Sequence, residues 1–124
     1  MTLRALVADD DAPVRQMVRD LLAERGVEVV LARDGLEALN LFRDQVFDLL
    51  VTDFLMPRVD GMQVVRSVRL AGERGRLPIV LMSAISKGHI PGEHEPGPDH
   101  YINKPFKLRK MAKLLDRVLA GLDS

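Results

Sequence analysis

Leu3-Arg4-Ala5-Leu6-Val7-Ala8-Asp9-Asp10-Asp11 opens the chain, and the reading of the fold starts from it. Leu3 to Ala8 is a short, nearly continuous apolar run, the pattern of a strand covered on both faces in a parallel sheet. Three acids follow at once, so a sheet built on this strand carries carboxylates at its carboxyl edge. Asp48 to Asp53 and Pro78 to Met82 have the same character. Val27 to Leu31 alternates at its start and fits a sheet edge, as does the short His100 to Asn103.

Helical periods lie between these runs. Val14, Met17, Val18, Leu21 and Leu22 fall on one face of an amphipathic helix. Asp11 is its expected N-cap, Pro13 sits in the first turn where a missing N–H matters little, and Gly26 is the stop. Asp34-Gly35 opens a second helix carrying Ala38, Leu41 and Phe42. A third carries Met62, Val65 and Val68 and runs out around Gly72 to Gly75. The last places Leu108, Met111, Ala112, Leu115, Val118, Leu119 and Leu122 on one face, with Arg109, Lys110, Lys113 and Arg117 largely on the other.

Alternating strands and helices predict a parallel sheet with right-handed crossovers and helices on both faces. Five strands cannot close an eight-stranded barrel, which leaves an open, doubly wound sheet. The rhythm breaks at 86–99, where three prolines and three glycines stand in fourteen residues. That segment reads as a loop with at most one helical turn in place of a fourth helix.

The chain has 124 residues, enough for one ordinary domain. Residues 1–124 read as that domain alone, with no DNA-binding or other output unit after the last helix. Lys+Arg and Asp+Glu balance at 18 each, which argues against a general binder of nucleic acid or anionic membrane. The absence of cysteine excludes disulfides, thiolate metal sites and a thiol nucleophile. No stretch resembles a signal peptide or a membrane span, so the expected location is the cytoplasm, with no membrane insertion.

Ligands of open α/β sheets bind beyond the carboxyl ends of the strands. Asp9 and Asp10 end the first strand, Asp53 the third, Ser83 the fourth and Lys104 the fifth. Two carboxylates about 5 Å apart repel by roughly 3 kcal/mol at an effective dielectric of 20. A cation is therefore expected among them, and all-oxygen ligation suits Mg²⁺, with Mn²⁺ as a substitute. Lys104 adds a positive charge and Ser83 a hydroxyl. Together they form a cradle for a phosphoryl group, with Asp53 as the nucleophile that yields an acyl phosphate.

These residues sit in recognisable motifs: Val7-Ala8-Asp9-Asp10-Asp11, Asp53-Phe54-Leu55-Met56-Pro57 followed by Asp60-Gly61, Leu81-Met82-Ser83-Ala84, and Tyr101-Ile102-Asn103-Lys104-Pro105-Phe106. In order and spacing they resemble the receiver domain of two-component response regulators, across essentially the whole chain. The resemblance implies a flavodoxin-like five-stranded sheet in the order 2-1-3-4-5. It implies that Asp53 accepts a phosphoryl group from a phosphohistidine on a sensor histidine kinase or a histidine phosphotransfer protein. Asp10, Asp53 and the main-chain carbonyl of Leu55 would ligate Mg²⁺, helped by Asp9. Lys104 and Ser83 would each bind a phosphoryl oxygen. Tyr101 would change rotamer as the surface over 84–119 switches toward an unidentified downstream protein, and Lys104–Pro105 would be cis.

Other readings of the same residues are weaker. Asp11 reads as a cap before a ligand. His89, His94 and His100, interleaved with Glu93 and Glu95, are explained better by a polar loop than by a transition-metal site. A phosphate-independent interaction module on the same fold has no use for a repulsive acidic pocket. An aspartyl-phosphate phosphohydrolase would carry a second acid two residues after its nucleophile, where this chain has Leu55. A flavin's phosphate would be repelled by the acids of the first loop. Leu55 and Ile85, each two residues beyond a site residue, are apolar and offer nothing to orient a hydrolytic water, so the acyl phosphate is expected to be long-lived.

Overall fold

The computed structural model describes residues 2–92 and 96–122. Five parallel strands lie in the order β2-β1-β3-β4-β5. They are β1 (Arg4–Ala8), β2 (Glu28–Ala32), β3 (Leu49–Asp53), β4 (Ile79–Ser83) and β5 (His100–Asn103). Helices α1 (Ala12–Glu24), α2 (Gly35–Asp44), α3 (Gly61–Arg69) and α4 (Leu108–Leu122) surround them, and a 3₁₀ turn at Gly72–Gly75 follows α3. This is the expected doubly wound sheet with four helices. Among the described residues of 86–99 there is no helix, only turns at 87–88 and 91–92.

The central strands are buried on both faces, as their unbroken apolar runs require. β3 and β4 are buried at every position, and β1 at all but Arg4. Alternate residues feed two cores. Leu6, Ala8, Leu50, Ile79 and Leu81 face α2 and α3, with Phe42, Phe47, Val65 and Val68. Ala5, Val7, Leu49, Val51, Val80 and Met82 face α1 and α4, with Val18, Leu22, Met111 and Leu115. Ile90 of the irregular segment is buried in the first of these cores, so this stretch of chain substitutes for helical packing with one anchored side chain.

Local signals set most of the boundaries. Gly26 has φ +78, and the N–H groups of Gly26 and Val27 donate to the carbonyls of Ala23 and Leu22, which closes α1. Asp34 accepts the Glu37 N–H at 2.8 Å, and Asp60 with Gln63 forms a reciprocal capping box at the start of α3. Two local expectations are corrected. Asp11 occupies the N-cap of α1, but its side chain caps nothing; its own N–H donates instead to Asp9 Oδ1. On α4, Leu108 is exposed and lies at the side toward Leu21 of α1, whereas the buried face runs through Met111, Leu114, Leu115 and Val118. Among the described residues, no helix is long and apolar enough to cross a membrane.

Candidate functional site

Parallel strands end on one edge, and the end residues of β1, β3, β4 and β5 therefore meet. Asp9 follows β1, Asp53 ends β3, Ser83 ends β4, and Lys104 follows β5, with its N–H donating to the Ser83 carbonyl at 2.8 Å. The Lys104 ammonium lies 2.8 Å from Asp9 Oδ2 and 3.2 Å from Asp53 Oδ1. Carboxylate oxygens of Asp9, Asp10 and Asp53 fall within 4.8 Å of one another. Asp9 and Asp53 are buried, whereas Asp10 is exposed at the rim. Asp10, Asp53, Ser83 and Lys104 line one open cleft of about 620 Å³, together with Leu55, Met56, Pro57, Ala84 and Ile85.

The electrostatics of this cluster are unbalanced. Three carboxylates face one ammonium. Burial, and then the charge of Asp9, push the Asp53 carboxyl up to about 6 against the opposing pull of Lys104. Burial alone would lower the Lys104 pKa, but the hydrogen bond to Asp9 and the charges of Asp53 and Asp9 outweigh it and raise it. Oxygen donors carrying surplus negative charge fit a hard divalent cation, and Asp9, Asp10 and Asp53 are the groups that would hold it.

Backbone geometry explains the neighbouring motif residues. Asp53 Oδ1 also accepts the Phe54 N–H at 3.0 Å, which fixes the carboxylate. A Cβ on Gly61 would stand 2.1 Å from the Asp53 carbonyl oxygen, so only glycine lets α3 begin this close to the site. The Ser83 hydroxyl accepts the Ile85 N–H at 2.9 Å, tying the loop after β4 back to the strand end. Tyr101 is half-buried against the core, with the Lys87 ammonium 5.1 Å from its ring centre. The Lys104–Pro105 peptide is cis. Leu55 is 74% exposed at the cleft.

His89 and His100 join no cluster of possible metal ligands; among the described residues the aspartate trio is the one such group. His94 lies outside the described residues, as do Glu93 and Glu95. Three supporting residues carry no signal in the sequence. The Arg15 guanidinium donates to the Asp9 carbonyl at 2.7 Å, Thr52 donates to the Asp53 carbonyl at 3.0 Å, and Asn103 reaches the carbonyls of Ser83 and Ile85. Each acts on a main-chain oxygen, and no spacing rule reports such a partner.

Residues 5–116 match the family described as the response regulator receiver domain. The chain belongs to that family. This receiver domain is 40% identical over 112 residues to the response regulator MprA of Mycobacterium tuberculosis and of Mycobacterium bovis, a match covering 90% of this chain and 48% of the relative. It thus spans about half the length of the curated relatives it matches. Among solved structures it is similar to the chemotaxis response regulator CheY4 of Vibrio cholerae, with TM-score 0.87 and 31% identity, over 95% of this chain and 99% of that one. The receiver domain of Francisella response regulator 1452 is similar at TM-score 0.80 and 29% identity, over 94% and 96% of the two chains.

Proposed function

We propose that this receiver domain accepts a phosphoryl group on Asp53, in a transfer that depends on a divalent cation, and that the modification alters the surface built from 84–119 for a partner protein. The carrying observation is the Lys104 ammonium held at 2.8 and 3.2 Å from Asp9 and Asp53, beside three converging carboxylates. A scaffold gains nothing from such a cluster, whereas a site that stabilises a phosphoryl group in transfer needs fixed positive charge beside an oxygen nucleophile.

The donor is a phosphohistidine of a sensor kinase or phosphotransfer protein, or a small acyl phosphate. An oxygen of Asp53 attacks phosphorus, and the bond from phosphorus to the imidazole nitrogen breaks, its electron pair leaving on that nitrogen. Phe54 N–H and Lys104 both engage Oδ1, which leaves Oδ2 for the attack. Asp9, Asp10 and Asp53, with the Leu55 carbonyl, would hold Mg²⁺. When bound, the ion neutralises charge on the phosphoryl oxygens. Lys104 shifts from the carboxylate toward a phosphoryl oxygen. Ser83 donates its hydroxyl to another, loosening its tie to Ile85 and so moving the loop on which Tyr101 borders. Leu55 and Ile85 present no polar group to an incoming water, which makes the product long-lived. A cytoplasmic location suits this exchange with a kinase.

The test is intact mass after incubation with acetyl phosphate and Mg²⁺. One phosphoryl adduct on the parent and none on Asp53→Ala supports the proposal. Equal labelling of both, or labelling of neither, overturns it.

A further inference from the structure

Asp9 is held at every polar atom it has. Its N–H donates to the Ala32 carbonyl of β2 at 3.2 Å, Oδ1 accepts the Asp11 N–H at 2.9 Å, and Oδ2 meets the Lys104 ammonium at 2.8 Å. The fourth atom, its carbonyl oxygen, accepts from the Arg15 guanidinium at 2.7 Å. Asp10 is different. It is exposed, and its carboxylate accepts no hydrogen bond among the described residues, yet it lies within 4.8 Å of the carboxylate oxygens of Asp9 and Asp53. Its backbone therefore holds it there, against the repulsion of two like charges.

The planar peptide links Arg15 to that backbone. The Asp9 carbonyl oxygen and the N and Cα atoms of Asp10 share one plane, so pinning the oxygen sets where the Asp10 Cα stands. Arg15 reaches the oxygen from α1, six residues along the chain, with N–H donors fixed in a rigid fork. Arg15 is half-buried, and among the described residues no carboxylate lies within ion-pair distance of it, although Asp9, Asp10 and Asp11 form the loop it touches. Arg19, one turn further along α1, pairs with Asp20 at 2.9 Å instead. The charge of Arg15 is thus committed to a main-chain oxygen, in a bond stronger than one between neutral groups.

We propose that Arg15 is a positioning residue for the divalent-cation site: by pinning the Asp9–Asp10 peptide, it aims the Asp10 carboxylate at the ion that Asp9 and Asp53 share. The cation itself comes from the proposed function, on which this role rests; Arg15 stands outside the ligand set given there. Charge and position predict opposite signs for its removal. Through charge alone, Arg15 repels an arriving divalent ion, and removing it would tighten binding. Through position, it holds Asp10 ready, and removing it loosens binding, as loss of a group that orients a metal ligand commonly does. A role in fold stability alone would leave the affinity of the folded protein unchanged.

The experiment reads Mn²⁺ binding to unphosphorylated protein, with no phosphodonor, from the electron paramagnetic resonance signal of the free ion. Arg15→Met keeps an unbranched stem without donors, and is expected to bind about tenfold more weakly than the parent. Arg15→Lys keeps the charge and a donor but not the fork, and falls between the two. Arg19→Met, in an exposed pair away from the loop, is expected to match the parent. Circular dichroism checks folding; if Arg15→Met does not fold, Arg15→Lys decides alone, weaker binding than the parent supporting the assignment. With acetyl phosphate, Arg15→Met should need about tenfold more Mg²⁺ for half-maximal phosphorylation, while its rate at saturating Mg²⁺ stays within about twofold of the parent. Equal or tighter Mn²⁺ binding by the Arg15 variants, an equal loss in Arg19→Met, or a rate that saturating Mg²⁺ does not restore overturns the role of Arg15. A parent that binds no Mn²⁺ overturns the cation site together with it.

Discussion

Asp53 is held in a place that disfavours its charge, and that is where its pH behaviour comes from. Its folded pKa of about 6 lies above the ordinary 3.8, so between those values the folded protein binds a proton that the unfolded chain has lost. In metal-free protein, stability from this group is present at low pH and falls as pH rises through that window. Asp53→Asn removes the loss. In EDTA, urea denaturation should find the variant more stable than the parent near pH 7, by roughly 1–3 kcal/mol, and equal to it near pH 3.5. A difference independent of pH would contradict the electrostatic account. Lys104→Met acts in the opposite direction, because it leaves the wholly buried Asp9 and its neighbour Asp53 without their cation. It should cost about 2–3 kcal/mol without metal, with part recovered on adding Mg²⁺. Gly61→Ala would press a methyl into the Asp53 carbonyl and should destabilise the fold by at least about 2 kcal/mol, even though alanine is the better helix former.

At the scale of elements, α3 joins the site to the irregular segment that follows β4. Its first residue abuts Asp53, and its far end sends Arg66 to the Gly92 carbonyl and Arg69 to Gly97 and Asp99. Amide exchange should therefore be fast at 86–88 and slower at His89, whose N–H donates to the Ser86 carbonyl, and at Ile90, which is buried; helix-like protection across the whole stretch would refute this description. Removing the α3 cap with Asp60→Ala should cost about 1 kcal/mol in thermal or urea unfolding. The elements were legible in the sequence because each carries its own signal. Strand cores read as unbroken apolar runs, Asp34 announced a helix start, and the proline and glycine content of 86–99 excluded a regular helix. What stayed hidden was set by tertiary neighbours. Leu108 keeps the helical period but lies exposed at the amino end of α4, Asp11 leaves its side chain out of the cap while its N–H donates to Asp9, and Arg66 and Arg69 find carbonyls far along the chain.

On the scale of the whole molecule, the topology brings residues from four strands to one edge, and the sequence showed this because parallel order fixes which ends coincide. The sequence could not show how close they come or how their charges balance, since those follow from the twist of the sheet and the burial of Asp9. The surplus negative charge of the site makes cation binding a global stabiliser. Mg²⁺ at about ten times its dissociation constant should raise stability by about 1.4 kcal/mol, and Asp10→Ala should abolish most of that gain in thermal melts. The measurement closest to the central claim is borohydride reduction of the domain after treatment with acetyl phosphate and Mg²⁺, followed by peptide sequencing. An acyl phosphate is reduced to an alcohol, so position 53 should appear as homoserine while the other aspartates remain intact. Homoserine elsewhere with none at 53, or no reduction product from protein that has gained a phosphoryl mass, would contradict the account.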